Sequence, residues 1–340
     1  MEFFKDLTVR RSKLRHLSYV DPSFNDPSFN DPNLPDFRSS RQTPGSVANL
    51  KLVTTPLHPR LRIAAIDFLN PAPLMWDFEH APAADRLAER YELRTMLPSA
   101  CAQALSDGSA DIGLIPIAAL ATTPRLRVLP GCTIASKGRV RSLILVRRSS
   151  QPLRLITTVA ADTASRATVA YTRILFHLWK NPAARFIPAQ VNLDAMLNPT
   201  TGADAAILIG DAALLALEDR ARRLERTGEE LVYHDLAEEW RNQTGLVWVS
   251  AVWCAAHGAT LDKRIVDDFN QSRLHGLANI NALVAEWSQK LPLPAATIRT
   301  YLTENIHYTL DEECIEGMRG FFRLAAETGV LPEYTVSIVK

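Results

Sequence analysis

Three short apolar runs at helix-length intervals limit this chain to a small set of folds: LRIAAI at 61–66, YELRTM at 91–96 and DIGLI at 111–115. Each has strand length, and a proline follows each one, Pro71, Pro98 and Pro116, where a helix can open. Strand, helix, strand, helix, strand predicts a parallel sheet wound with right-handed crossovers. In such sheets ligands collect beyond the carboxyl ends of the strands, where the free N–H groups of helix starts favour anions. Asn70 stands at the first of these ends. Pro71 suits the first turn of a helix running through Trp76 and Phe78, with Asn70 as its N-cap. Two roles therefore fit Asn70: a cap worth about 1 kcal/mol, or an amide facing a pocket.

The pattern is repeated further on. RVRSLILV at 139–146 alternates, with Val140, Ser142, Ile144 and Val146 on one face, and predicts a long strand crossing the molecule. Ser149-Ser150-Gln151-Pro152 has the composition of a hinge. Beyond it, strands are expected at 153–159 and 205–209, with a helix over 163–180 between them and a second, long helix after Gly210-Asp211. The apolar segment 246–255 then leads back to the first lobe. The expected organisation is residues 59–148 plus 247–340 as lobe 1 and 149–246 as lobe 2, an α/β protein with a ligand cleft between its lobes. At the start of the helix expected at 163, Asp162, Thr163 and Ser165 cluster beside the cation of Arg166. That cluster reads either as a carboxylate-holding site or as a plain cap with a solvated arginine. Asp211 has the same two readings. The charge-dense stretch 217–242 reads as a solvated helix surface, and Ile265 to Trp287 as one long amphipathic element. Thr309 with Glu312 reads as a capping box, with Gly329 as the stop of the closing helix.

Residues 1–58 differ from the rest. They hold the tandem PSFND-PSFND from Pro22 to Asp31 and many further prolines, and read as a loosely attached extension. With 38 basic and 37 acidic residues, net charge +1, nothing in the total charge draws the chain to nucleic acid. The amino terminus lacks the apolar core of an export signal, and no apolar run of about 18 residues predicts a membrane span. The four cysteines, Cys101, Cys132, Cys254 and Cys314, are far apart without metal-ligand spacing, so buried thiols in a reducing cytoplasm are expected. HExxH, GxGxxG, GxSxG and the phosphate-binding GxxxxGK[ST] are all missing, and no histidine is paired with a carboxylate by spacing. The residues thus describe a two-lobed protein as suited to binding a solute as to catalysis.

Several segments together resemble one family. IDFLNPAPL, SADIGLIP, GRVRSLILV, AADTASRATVAY, AAILIGDAAL and HDLAEEWRNQTGLVWVSAVW resemble, in order and spacing, the chorismate dehydratases of the futalosine route to menaquinone. The closing IHYTLDEECIEGMRGFFRLAAETGVL is similar as well, so the resemblance spans about 61–332. Asp67-Phe68 and Ile117 depart from the family's usual residues. The resemblance implies a type II periplasmic-binding-protein-like fold, each lobe a mainly parallel sheet flanked by helices. It implies a cofactor-independent hydro-lyase converting chorismate to 3-[(1-carboxyvinyl)oxy]benzoate, with Asn70 and Ser142 as the pocket asparagine and serine. Thr163, Ser165, Arg166 and Asp211 would bind substrate from the second lobe. No metal is implied, and the base would be borrowed from a substrate carboxylate. The alternative is a non-catalytic binding protein or sensor for a small carboxylated ligand; the oligomeric state is left open.

Overall fold

The computed structural model describes residues 60–123, 125–161 and 166–339. The extension expected at 1–58, and Asp162, Thr163 and Ser165, lie outside the described residues. The strands, in chain order, are β1 (Leu61–Ile66), β2 (Tyr91–Met96), β3 (Ile112–Pro116), β4 (Arg127–Ser136), β5 (Leu143–Arg148), β6 (Thr158–Ala161), β7 (Arg185–Pro188), β8 (Ala205–Ile209), β9 (Leu231–Asp235), β10 (Trp248–Ala255) and β11 (His307–Leu310). They form a six-stranded sheet ordered β11-β4-β10-β3-β1-β2 and a five-stranded sheet ordered β7-β6-β8-β5-β9.

The three apolar runs become β1, β2 and β3 as expected, parallel to one another. Ile63, Ala64 and Ala65 of β1 are buried, as a strand covered on both faces requires. Arg62, the polar exception in that run, reaches Asp111 through both its guanidinium (3.0 and 2.8 Å) and its backbone N–H (2.8 Å), tying β1 to the start of β3. This pairing holds the Asp111 carboxyl below its ordinary range.

The sheets are mixed rather than mainly parallel. β10 runs antiparallel to β3 and β4, and β5 antiparallel to β8 and β9, because strands that carry the chain between lobes run back against the strand-helix-strand units. β5 also moves the expected boundary. It pairs with β8 and β9, so 143–148 belongs to the second sheet, and Ser149–Pro152 turns within that lobe instead of joining the two. β10 does return the chain to the first sheet. At 153–159 the expected strand is a single 3-10 turn, Leu153–Leu155, followed by the shorter β6.

Three other expectations change. The stretch 217–242 is not one solvated helix: Asp211–Thr227 and Leu236–Thr244 are helices with the edge strand β9 between them. Within it Arg223 is buried, its guanidinium held by Asp194 (2.8 Å) and Glu229 (2.6 Å). The element 265–287 is two helices, Lys263–Ala278 and Ile280–Lys290, which meet at Asn279. The closing helix Glu312–Glu327 is capped by Asp311, which accepts the Cys314 N–H (2.9 Å), while Thr309 lies in β11. Gly329 does follow its end, with φ +68°.

The lobes share an aromatic core. Tyr171, on the helix Arg166–Leu178, stacks on Trp248 of β10 at 3.8 Å and packs on Trp240 and Phe321. Its hydroxyl donates to the Val249 carbonyl (3.1 Å) and accepts the Val249 N–H (3.2 Å), at a register shift in β10. The helix that follows β6 is thereby anchored on the first sheet, and its amino-terminal turn faces the junction of the lobes.

Candidate active site

A cavity of about 70 Å³ lies where strand ends from both sheets converge. Ile66, Phe68 and Asn70 reach it from the carboxyl end of β1, Pro116 from that of β3, and Ile209 and Gly210 from that of β8. β5 is antiparallel to β8, so its entering residues Ser142 and Leu143 arrive at the same end. Ala167 and Thr168, from the first turn of the helix anchored by Tyr171, and Ser250 of β10 complete the polar and apolar walls.

Asn70 caps nothing. The helix Ala72–Glu79 has Pro71 at its N-cap position, with no side-chain cap hydrogen bond. The side-chain oxygen of Asn70 is instead buried in the cavity wall without a hydrogen-bond partner among the described residues. An unpaired buried oxygen of this kind costs about 1–3 kcal/mol. The pocket-facing reading of Asn70 accounts for it, and the capping reading does not.

Ser142 is buried, and its carbonyl, its hydroxyl and the two residues before it are held. The Asp235 carboxylate accepts the N–H groups of Val140 (3.0 Å) and Arg141 (2.6 Å) just before it. Gly210 donates its N–H to the Ser142 carbonyl at 2.7 Å, from a backbone conformation (φ +59°, ψ −137°) open to glycine. The hydroxyl of Tyr301 donates to Ser142 Oγ at 2.8 Å. Arg141 itself has φ +61°, a left-handed conformation costly for a residue with a Cβ and retained here by the Asp235 clamp.

Asp211 is the first residue of its helix, whose N-cap position is Gly210, so Asp211 is no cap either. Burial pushes its carboxyl up to about 6; the Leu69 N–H pulls the other way, and Asp67 adds to the rise. It joins the end of β8 to the turn that carries Asn70. Arg166 opens its helix next to the cavity-lining Ala167 and Thr168, but is itself exposed and outside the lining. The structure thus brings together Asn70 and Ser142, with Asp211 at the margin. Phe68, Ser250, Thr168 and Tyr301 were missed by sequence reasoning. Only Phe68, adjacent to the Asn-Pro signal, had a local cue.

Two other features compete for attention. A larger recess of about 400 Å³ lies behind the same segment, lined by Arg139, Arg141, Arg220 and Tyr233. Two of its arginines are matched, Arg141 by Glu218 and Arg139 by Glu238 (both 3.0 Å), and among the described residues that line it no buried side-chain polar atom lacks a partner, so the smaller cavity is the better candidate. His307, Asp311 and Cys314 form the one group of three metal-ligating side chains found among the described residues. There Lys137 sits on the Asp311 carboxylate at 2.7 Å and burial pushes the Cys314 thiol up to about 12, the chemistry of a capped, salt-bridged helix start. Neutral hydrogen-bonding groups in a dry cleft can bind and orient an anionic ligand and stabilise charge that develops on its oxygens.

Residues 61–327 match the family described as menaquinone biosynthesis. The chorismate dehydratase of Thermus thermophilus is 26% identical over 203 residues, 58% of this chain and 72% of that protein. Among solved structures, a structural genomics protein of Archaeoglobus fulgidus superposes with a TM-score of 0.60 at 15% identity, covering 80% of this chain and 98% of the other. A Candida albicans gene product described as having the generic periplasmic binding protein fold gives 0.57 at 15%, covering 82% and 92%. The periplasmic aliphatic sulphonate binding protein SsuA of Escherichia coli gives 0.54 at 16%, covering 83% and 94%. The fold is that of the two-lobed periplasmic binding proteins.

Proposed function

The chain belongs to the menaquinone biosynthesis family, and from that premise we propose that it is a cofactor-independent hydro-lyase that removes water from chorismate. The observation that carries the reading is the buried oxygen of Asn70, unpaired among the described residues, in the wall of a cavity that Ser142 also lines.

Chorismate is one elimination from an aromatic ring. The proton leaves the ring carbon that bears the enolpyruvyl ether, and its electron pair forms the new double bond. The neighbouring carbon–oxygen bond breaks, and the hydroxyl departs as water. Aromaticity supplies most of the driving force, so the protein has to hold the substrate, exclude solvent and stabilise charge on oxygen. Asn70 suits this task, since a primary amide both donates and accepts and can engage a hydroxyl and a carboxylate of one ligand. Ser142 is assigned to a substrate oxygen. Arg166, with Thr163 and Ser165, is assigned to a substrate carboxylate, and a substrate carboxylate is the base. Asp211 is assigned to shaping the Leu69–Asn70 turn through the Leu69 N–H. The four free, buried cysteines support a cytoplasmic location. No helix among the described residues is long and apolar enough to cross a membrane.

Incubation of the purified protein with chorismate alone tests the reading. Loss of substrate with appearance of an aromatic product lighter by one water is expected. Stabilisation against heat without consumption would favour the binding-protein or sensor reading, and neither turnover nor binding would remove chorismate as the ligand.

A further inference from the structure

We propose that Tyr301 is a positioning residue that fixes the Ser142 hydroxyl as a hydrogen-bond donor into the cleft; the proposal rests on the dehydratase reading above. Tyr301 comes from the other end of the chain and from the lobe of the first sheet, yet its hydroxyl is 2.8 Å from Ser142 Oγ, with both residues buried. A phenol is a stronger acid than an aliphatic alcohol, so the tyrosine donates and the serine oxygen accepts. The serine proton is then left to point elsewhere. Among the described residues no other group engages it, and the wall that Ser142 lines is that of the cavity. Accepting one hydrogen bond also strengthens the next one donated, by roughly 10–30%.

The bond is separable from the fold. The Ser142 backbone is already held by Gly210, and the preceding amides by Asp235, so Tyr301 contributes the torsion of one hydroxyl rather than the place of the residue. Burial alone does not explain the contact either. The neighbouring Tyr308 is equally enclosed, and its hydroxyl has no partner among the described residues. Tyr301 also opens a π-helical turn, Tyr301–Asn305, a rare conformation that recurs at functional sites.

Steady-state turnover of chorismate by the full chain, compared for Tyr301→Phe, Ser142→Ala and the double variant, tests this. Tyr301→Phe is expected to lower kcat about tenfold with KM within about twofold and an unchanged melting temperature. The double variant is expected to be no slower than Ser142→Ala. Wild-type kcat in Tyr301→Phe, or the same extra loss in both backgrounds, would overturn the assignment. If Tyr301→Phe does not fold, 3,5-difluorotyrosine at 301 nearly preserves size and strengthens the donor. It should leave kcat at or above wild type and have no effect beside Ser142→Ala; a lowered kcat, or an equal change in both backgrounds, overturns the assignment. A wild type inert towards chorismate removes the dehydratase reading and this one together, whereas turnover with an additive double variant removes this one alone.

Discussion

The two walls of the cleft are built on opposite terms. On the β1 side, the Asn70 oxygen is buried with no hydrogen-bond partner among the described residues. On the β5 side, Ser142 is held through its hydroxyl, its carbonyl and the amides that precede it. A group left unpaired inside a protein is costly and survives where something outside the fold repays it. A group held from three directions is one whose aim matters. The contrast assigns binding specificity to the first wall and orientation to the second.

The sharpest way to break this contrast is at the clamp behind Ser142. Asp235→Ala strands the N–H groups of Val140 and Arg141 and uncaps the helix Leu236–Thr244, whose Ala237 and Glu238 N–H groups it also accepts. A loss of about 3–4 kcal/mol in urea unfolding is expected, with turnover lost as well. Asn70→Ala should do the reverse, lowering kcat/KM about 100-fold, equivalent to roughly 2.7 kcal/mol, without lowering the unfolding free energy, since it removes a buried oxygen that has no partner among the described residues. A variant that melts early yet turns over at the wild-type rate would restore the capping reading. Ser142→Ala should cost about thirtyfold in kcat, in the range of one hydrogen bond to a charged oxygen; unchanged kcat and KM would empty the second wall of its role.

The smallest effect concerns Asp211. Its carboxyl, ordinarily near 3.8, is pushed up to about 6, so the folded state prefers the protonated form. The contribution of this carboxyl to stability is then fullest below pH 4, falls as pH rises towards 6 and levels off above. Asp211→Asn should erase that slope, equalling wild type at pH 4 and exceeding it at pH 7. Melting temperature against pH reads it, and parallel curves for both proteins would show that Asp211 carries no such strain.

What could be read from the sequence followed from where the signals were local. β1 with its Asn-Pro stop, β3 with Pro116, and β8 with Gly210-Asp211 each announce strand and helix start within a few residues, and these ends build the cavity. β9 was hidden because four half-buried residues and the buried Asp235 at a sheet edge, between two charged helices, carry little periodicity. The break at Asn279 was hidden because the apolar face continues across it, and the buried Arg223 because its two acids come from separate places, Asp194 from the short helix Leu193–Met196 and Glu229 from the segment before β9. Tyr301 could not have been found. Its partner is far away in sequence, and only the folded chain brings the two hydroxyls together.

Gly210 shows how unevenly this site would record its own history. Its N–H holds Ser142, its conformation excludes most other residues, and Phe68 lies against it, so a substitution there disturbs fold and cleft together. Asn70 caps no helix and, in the dehydratase reading proposed above, serves the cleft alone. In a lineage released from selection for turnover but kept as a ligand sensor, the asparagine could drift while the glycine stayed, and it is the asparagine that would tell a working enzyme from its retired descendants.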